Sequence, residues 1–132
     1  MKRPRVLLVD DMPEILRYCS GILAPDFEIV GTAATGPAAI EAVAATEPDL
    51  IVLDISMPGL NGIEVARRLR RSGCQAVIVF VSADDALSEE TLAAGGSAYV
   101  SKTLIDLHLR TAIAEAMAGR RFVRVCESGS GE

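Results

Sequence analysis

Five residues carry most of the reactive potential of this chain: Asp10, Asp11, Asp54, Ser82 and Lys102. Each closes or follows an apolar run. Asp10 and Asp11 come after Val6 to Val9, Asp54 after Leu50 to Leu53, Ser82 after Ala76 to Val81, and Lys102 shortly after Ser97 to Val100. If those runs are neighbouring strands, the five side chains share one rim of a sheet. Carboxylates gathered there repel, a pair about 4 Å apart by ~4 kcal/mol at an effective dielectric of 20. They stay ionised only when a cation joins them. Oxygen ligands with space left for water and phosphate oxygens suit Mg²⁺. A carboxylate is also a nucleophile toward phosphorus and forms an aspartyl phosphate. Lys102, the Ser82 hydroxyl and a backbone N–H just after the fourth strand, that of Ala83, would then hold the incoming phosphoryl oxygens.

The elements that must position these groups alternate along the chain. Strand-like runs at Arg5 to Val9, Phe27 to Ala33, Leu50 to Leu53, Ala76 to Val81 and Ser97 to Val100 are mainly apolar. Helical patterns separate them: Met12 to Ala24, Pro37 to Ala45, Gly62 to Arg71 and Ala86 to Ala94, with Leu104 to Ala118 closing the series. Continuous apolar strands between helices indicate a parallel sheet covered on both faces. Asp11 with Glu14, and Asn61 with Glu64, have the spacing of helix capping boxes. Gly73, Gly95 and Gly119 fall just past helix ends, where a left-handed residue is favoured. In such a sheet, ligands bind outside the carboxyl ends of the strands where strand order reverses. With the order 2-1-3-4-5, that point lies between strands one and three, between Asp10–Asp11 and Asp54.

Length and composition narrow the class. A chain of 132 residues fits one domain, and its apolar runs fall far short of the ~18 residues of a membrane span. The basic start and Val6 to Val9 are cut off by Asp10 before a signal peptide's apolar core could form. A cytoplasmic location and no membrane partner are expected. The cysteines Cys19, Cys74 and Cys126 lack metal-ligand spacing and read as buried or free thiols. A net charge of −5 argues against nucleic acid as a direct partner. Arg67, Arg68, Arg70 and Arg71 read as a solvated helix face, and His108 as a surface residue. The Gly/Ser/Glu-rich tail, 127 to 132, has a disorder-type composition.

Taken together, Val9-Asp10-Asp11, Leu53-Asp54-Ile55-Ser56-Met57-Pro58-Gly59, Val81-Ser82-Ala83 and Tyr99-Val100-Ser101-Lys102 resemble the signature of response-regulator receiver domains of two-component systems. The resemblance covers roughly residues 4–120. The segments Val9 to Pro13 and Ala118 to Val123 are most similar to receivers that precede LuxR-type helix-turn-helix output domains. The likeness implies a flavodoxin-like (βα)5 fold: an α/β, doubly wound, five-stranded parallel sheet of order 2-1-3-4-5. The receiver would span 1–121, with 122–132 a C-terminal tail or the start of a linker. It implies Asp54 as phosphoacceptor, Asp11 and Asp54 as direct Mg²⁺ ligands, Asp10 acting through water, and the Ser56 carbonyl as a further ligand. It implies that Ser82 swings toward the phosphoryl group, that Lys102 contacts it, and that the Tyr99 ring moves inward with Ser82. The function implied is a switch: Mg²⁺-dependent transfer from a sensor histidine kinase to Asp54 changes the surface of helix four, strand five and helix five. Catalysis would be limited to the domain's own phosphorylation and dephosphorylation. An output domain, a downstream protein or a second copy of the chain is the expected receiver of the signal. Leu104, Leu107 and Ala112 to Met117 would supply apolar contacts.

One departure stands out. Receivers usually carry proline after the lysine, with a cis bond, and here the residue is Thr103. A cis bond before a non-proline residue costs ~2.5–4 kcal/mol, so the loop is either trans or held by local contacts. Thr103 is the feature that favours a rival reading, a phosphorylation-independent receiver acting only through protein contacts. A phosphatase of the haloacid dehalogenase type needs an acidic residue two positions past its nucleophile, and Met12 and Ser56 stand there instead. A dinucleotide site lacks its glycine fingerprint. Asp84 and Asp85 are either modulators of phosphoryl lifetime by charge or an acidic first helical turn.

Overall fold

The computed structural model describes residues 3–84 and 88–125. Asp85, Cys126 and the tail from 127 to 132 lie outside the described residues, as do Ala86 and Leu87, where the fourth helix was expected to start. The chain alternates β1 (Arg5–Val9), α1 (Pro13–Leu23), β2 (Glu28–Ala33), α2 (Gly36–Thr46), β3 (Leu50–Asp54), α3 (Gly62–Arg71), β4 (Val77–Ser82), α4 (Ser88–Ala93), β5 (Ala98–Ser101), a 3₁₀ turn (Lys102–Leu104), α5 (Ile105–Met117) and β6 (Phe122–Arg124). All pairings are parallel, in the order β2-β1-β3-β4-β5-β6. Among the described residues no helix is long and apolar enough to cross a membrane.

The alternating faces of the strands explain why the central runs Val6–Val9, Leu50–Leu53 and Val77–Val81 are apolar throughout. Leu7, Val9, Ile51, Leu53, Ile78 and Phe80 pack against α2 and α3 through Ala39, Val43, Val65 and Leu69. Their neighbours Val6, Leu8, Leu50, Val52, Val79 and Val81 pack on the other face against Cys19 and Leu23 of α1 and Leu109, Ala112 and Ile113 of α5. Burial on both faces removes any need for a polar position within a strand. The polar residues are therefore displaced to strand ends, where they form the site.

The expected five-stranded sheet needs correction, because Phe122–Arg124 forms a sixth strand parallel to β5, with Ala98 opposite Phe122 and Val100 opposite Arg124. The segment looked like a tail because three residues are too few for a hydrophobic period to register. Its strand character comes from tertiary contact. The Phe122 ring is buried in the α5 face, with the Arg124 guanidinium 4.2 Å from its centroid and His108 tilted against it at 6.2 Å.

One other reading changes with the structure, and another is borne out. Arg70 does not belong to a solvated helix face: its guanidinium is half-buried and donates to the carbonyls of Cys74 (2.9 Å), Ala76 (2.8 Å) and Gly95 (2.7 Å). It thereby ties the end of α3 to the entry of β4 and the turn before β5. On α5, Ala112, Ile113 and Ala116 supply packing contacts to the protein's own core as expected, and Leu107 and Met117 are its exposed large apolar residues. Removing the Phe122 ring should therefore cost the whole domain stability. Phe122→Ala is expected to lose about 3 kcal/mol in urea unfolding; a loss indistinguishable from zero would place the domain's edge at β5.

Candidate functional site

Parallel pairing brings the carboxyl ends of β1, β3, β4 and β5 to one rim. Asp54 is the last residue of β3, in register with Val81, and Ser82 ends β4 opposite Ser101. Asp10 follows β1 directly, and its backbone N–H donates to Ala33 at 3.0 Å, so its position is fixed by the sheet. Its side chain then shapes the next turn: Asp10 Oδ1 accepts from the Met12 N–H at 2.9 Å. This differs from the capping box expected at Asp11. Met12 is the N-cap of α1 and gives no side-chain cap, while Pro13 fills the first helical position. The second box holds in its first half, with Asn61 Oδ1 accepting from Glu64 N–H at 2.9 Å.

Asp10, Asp11 and Asp54 each place a carboxylate oxygen within 4.8 Å of the others. Asp10 and Asp54 are buried and Asp11 is exposed, so the cluster has a protein side and a solvent side. Lys102 reaches into it. Its ammonium lies 3.1 Å from Asp10 Oδ2 and 3.4 Å from Asp54 Oδ1. The lysine gets there without a cis bond, since no described peptide is cis. The 3₁₀ turn at Lys102–Leu104 and a 3.2 Å contact between the Ser101 and Thr103 hydroxyls shape the loop instead.

One oxygen is left over. Asp54 Oδ1 also accepts from the Ser56 N–H at 3.3 Å, but Asp54 Oδ2 is buried with no hydrogen-bond partner. A native carboxylate oxygen in that state calls for a partner, and an ion, a water or a reacting group can each supply one. Burial, then the charge of Asp10, push the Asp54 carboxyl up to about 6, with Lys102 offsetting part of the shift. Burial works against the Lys102 charge too, but its hydrogen bond to Asp10 and the charge of Asp54 hold the ammonium above its usual range. Burial, with Asp10 again, pushes the Cys19 thiol beneath the site up to about 11. Excess negative charge in a buried, oxygen-only cluster with an unpaired acceptor fits a hard divalent cation.

The other expected residues sit as follows. Ser82 is fully buried, and its hydroxyl accepts from the Asp84 N–H at 3.1 Å. Ala83, next after β4, and Ser56, two residues past Asp54, are both exposed. Tyr99 was expected to swing inward; its ring is already fully buried, and its hydroxyl donates to the Asp84 carbonyl at 2.9 Å. Gly62 does more than start a helix. A Cβ there would lie 2.1 Å from the Asp54 carbonyl oxygen, so α3 can close on the end of β3 only through a glycine. The Asn-Gly pair at the helix start was the available signal.

Comparison with known proteins agrees with this geometry. The family model of the response regulator receiver domain matches residues 6–114. A protein-glutamate methylesterase/protein-glutamine glutaminase of a Nocardioides species is 42% identical over 107 residues, covering 74% of this chain and 28% of that protein. The nitrate/nitrite response regulator protein NarL of Escherichia coli is 34% identical over 118 residues, covering 86% of this chain and 55% of that protein. The crystal structure of a LuxR-family two-component response regulator from an Aurantimonas species superposes with a TM-score of 0.85 at 31% identity, over 92% of this chain and 89% of that one. The chain thus spans roughly a quarter to a half of the length of these two curated relatives.

The raised Asp54 carboxyl has a measurable consequence in metal-free protein. Folding lifts its pKa from 3.8 to about 6. The folded state therefore holds this proton more tightly than the unfolded chain. That contribution is full below pH 3.8 and is lost as pH rises through about 6. With EDTA at pH 7, Asp54→Asn should be more stable than the parent by roughly 2 to 3 kcal/mol in urea unfolding. The difference should fade below pH 4. A less stable Asp54→Asn at pH 7 would contradict this electrostatic account.

Proposed function

The chain belongs to the response regulator receiver domain family, and from that premise we propose that Asp54 is the residue that accepts the phosphoryl group, in a Mg²⁺-dependent switch. The observation that carries the assignment is Asp54 Oδ2, a buried carboxylate oxygen without a partner beside a lysine and two further carboxylates. Asp10, Asp11, Asp54 and the Ser56 carbonyl would hold Mg²⁺, which supplies charge neutralisation for carboxylates and phosphoryl oxygens alike. Asp54 attacks phosphorus, a new O–P bond forms, and the donor leaves with the electron pair of its old bond. A sensor histidine kinase is the expected donor, with small acyl phosphates as substitutes. The Lys102 ammonium, already between Asp10 and Asp54, balances the charge that arrives. The Ser82 hydroxyl, at the end of β4, and the Ala83 N–H next to it would hold phosphoryl oxygens.

Downstream steps follow from the same residues. Ser82 turning to a phosphoryl oxygen releases the Asp84 N–H, and Asp84 also anchors Tyr99. The surface of α4, β5 and α5 then shifts its affinity for a partner by biasing an existing equilibrium. That partner is a following output domain, a separate protein or a second copy, in a cytoplasmic setting. The methylesterase relative shares 107 aligned residues with this chain, so its activity is not carried over. Thr103 had favoured an interaction-only receiver. Lys102 meets both buried aspartates with Thr103 in place, which leaves that rival no structural support.

Incubation with acetyl phosphate and Mg²⁺ followed by intact-mass measurement should show one added phosphoryl group. Asp54→Asn should show none, and EDTA should abolish the gain. Lys102→Ala should slow the reaction by about two orders of magnitude. Mass gain that persists in Asp54→Asn would move the acceptor elsewhere.

A further inference from the structure

The residue next to the acidic pair is a methionine whose thioether lies against the site. Met12 Sδ is 3.9 Å from the Lys102 ammonium, the same nitrogen that bridges Asp10 and Asp54. Met12 is also open to solvent, at 45% exposure, because as the N-cap it precedes the packed face of α1. A thioether sulfur is a weak acceptor and holds the ammonium loosely. Oxidation to the sulfoxide makes the same atom polar and adds an oxygen that accepts strongly. That oxygen would lie between sulfur and ammonium with only a side-chain rotation. Hydrogen bonds to charged groups are the strong ones, so the pull on Lys102 would compete with that of the carboxylates.

The other described methionines lack this combination. Met57 is buried at 6% exposure. Met117 is exposed at 41%, but it ends α5, roughly 18 Å of helix away from Lys102. Cys19 is buried at 2% exposure, shielded from an oxidant in solution. Exposure and contact with the phosphoryl-handling lysine coincide at Met12.

We propose that Met12 is a modification site for peroxide, whose sulfoxide captures the Lys102 ammonium and slows phosphoryl transfer to Asp54. The consequence for transfer rests on the phosphoacceptor reading above. In the step itself, the sulfur lone pair attacks one peroxide oxygen, an S–O bond forms and the O–O bond breaks. The second oxygen departs as water after taking a proton. Sulfur is oxidised by two electrons and the peroxide is reduced by two. A methionine sulfoxide reductase reverses the change, so the device is resettable.

The chain has two lysines, Lys2 and Lys102, so [¹⁵N]lysine labelling isolates the ammonium of interest. Full-length protein is treated with hydrogen peroxide, the oxidised residues are located by peptide mass, and the Lys102 Nζ resonance and the rate of labelling by acetyl phosphate are recorded. Oxygen on Met12 should shift the Lys102 resonance and slow phosphorylation about fivefold, a loss within what one charge-assisted hydrogen bond supplies. Reductase treatment should restore both. Met12→Leu, compared with its own untreated sample, should show neither response, while Met117→Leu should behave as the parent does. An unmoved resonance or an unchanged rate in fully oxidised protein overturns the proposal, as does an equal loss in Met12→Leu. Untreated protein that takes no phosphoryl group overturns the phosphoacceptor reading alone, and the Lys102 resonance still decides whether the sulfoxide captures the ammonium.

Discussion

Negative charge held out of water is the constraint around which this molecule is arranged. Asp10 and Asp54 are almost fully buried and share one lysine, while Asp11 stands beside them in solvent. One cation cannot neutralise three carboxylates. The residual charge pushes the Asp54 carboxyl upward, and its Oδ2 oxygen is left without a donor. A fold that sought stability alone would place an amide or an apolar residue at position 54, because buried charge without full pairing is destabilising. The unmet charge is best understood as a capacity for binding. A divalent cation held among the three carboxylates would complete what the folded chain leaves open.

Such a cluster survives only on a rigid support, and the parallel sheet provides it. Asp54 and Ser82 are the terminal paired residues of β3 and β4, so the ladder sets their spacing. The glycine at 62 lets α3 approach the Asp54 carbonyl, and the Gly62 N–H donates to the Ile55 carbonyl at 2.9 Å, securing the loop that follows Asp54. Arg70, farther along α3, draws the connections around β4 and β5 together by donating to three carbonyls. The site's precision is a property of backbone pairing, with loops contributing the parts that must move.

Much of this was legible from residue order. Five apolar runs separated by helical stretches fix a parallel, two-faced sheet, and polar residues at the run ends mark the rim. Legibility failed where structure depends on distant partners. Phe122–Arg124 is too short for periodicity and becomes a strand through β5 and α5. Arg70 looks like its neighbours Arg68 and Arg71 in sequence, yet it alone of the three is turned toward carbonyls of β4's approach and the turn before β5. Thr103 raised doubt about Lys102 because the family's loop geometry was assumed to need proline. A 3₁₀ turn delivers the ammonium by another route.

The same loop logic says how an event at Asp54 can be felt elsewhere. Asp84 is a shared point of attachment: its N–H donates to Ser82 Oγ and its carbonyl accepts from the Tyr99 hydroxyl. Under the proposed function, a Ser82 hydroxyl drawn to a phosphoryl oxygen would change what holds the Asp84 amide, and a peptide that reoriented there would carry the Tyr99 contact with it. Tyr99 is fully buried within β5, so its ring has no solvent route by which to absorb the change. Tyr99 packs on the same face of the sheet as Ile78, Phe80 and Ala94, so any adjustment would pass into that face. On that reading signal and core would meet at one peptide unit, where a hydrogen bond of about 1 kcal/mol is enough to bias an equilibrium between two closely matched arrangements.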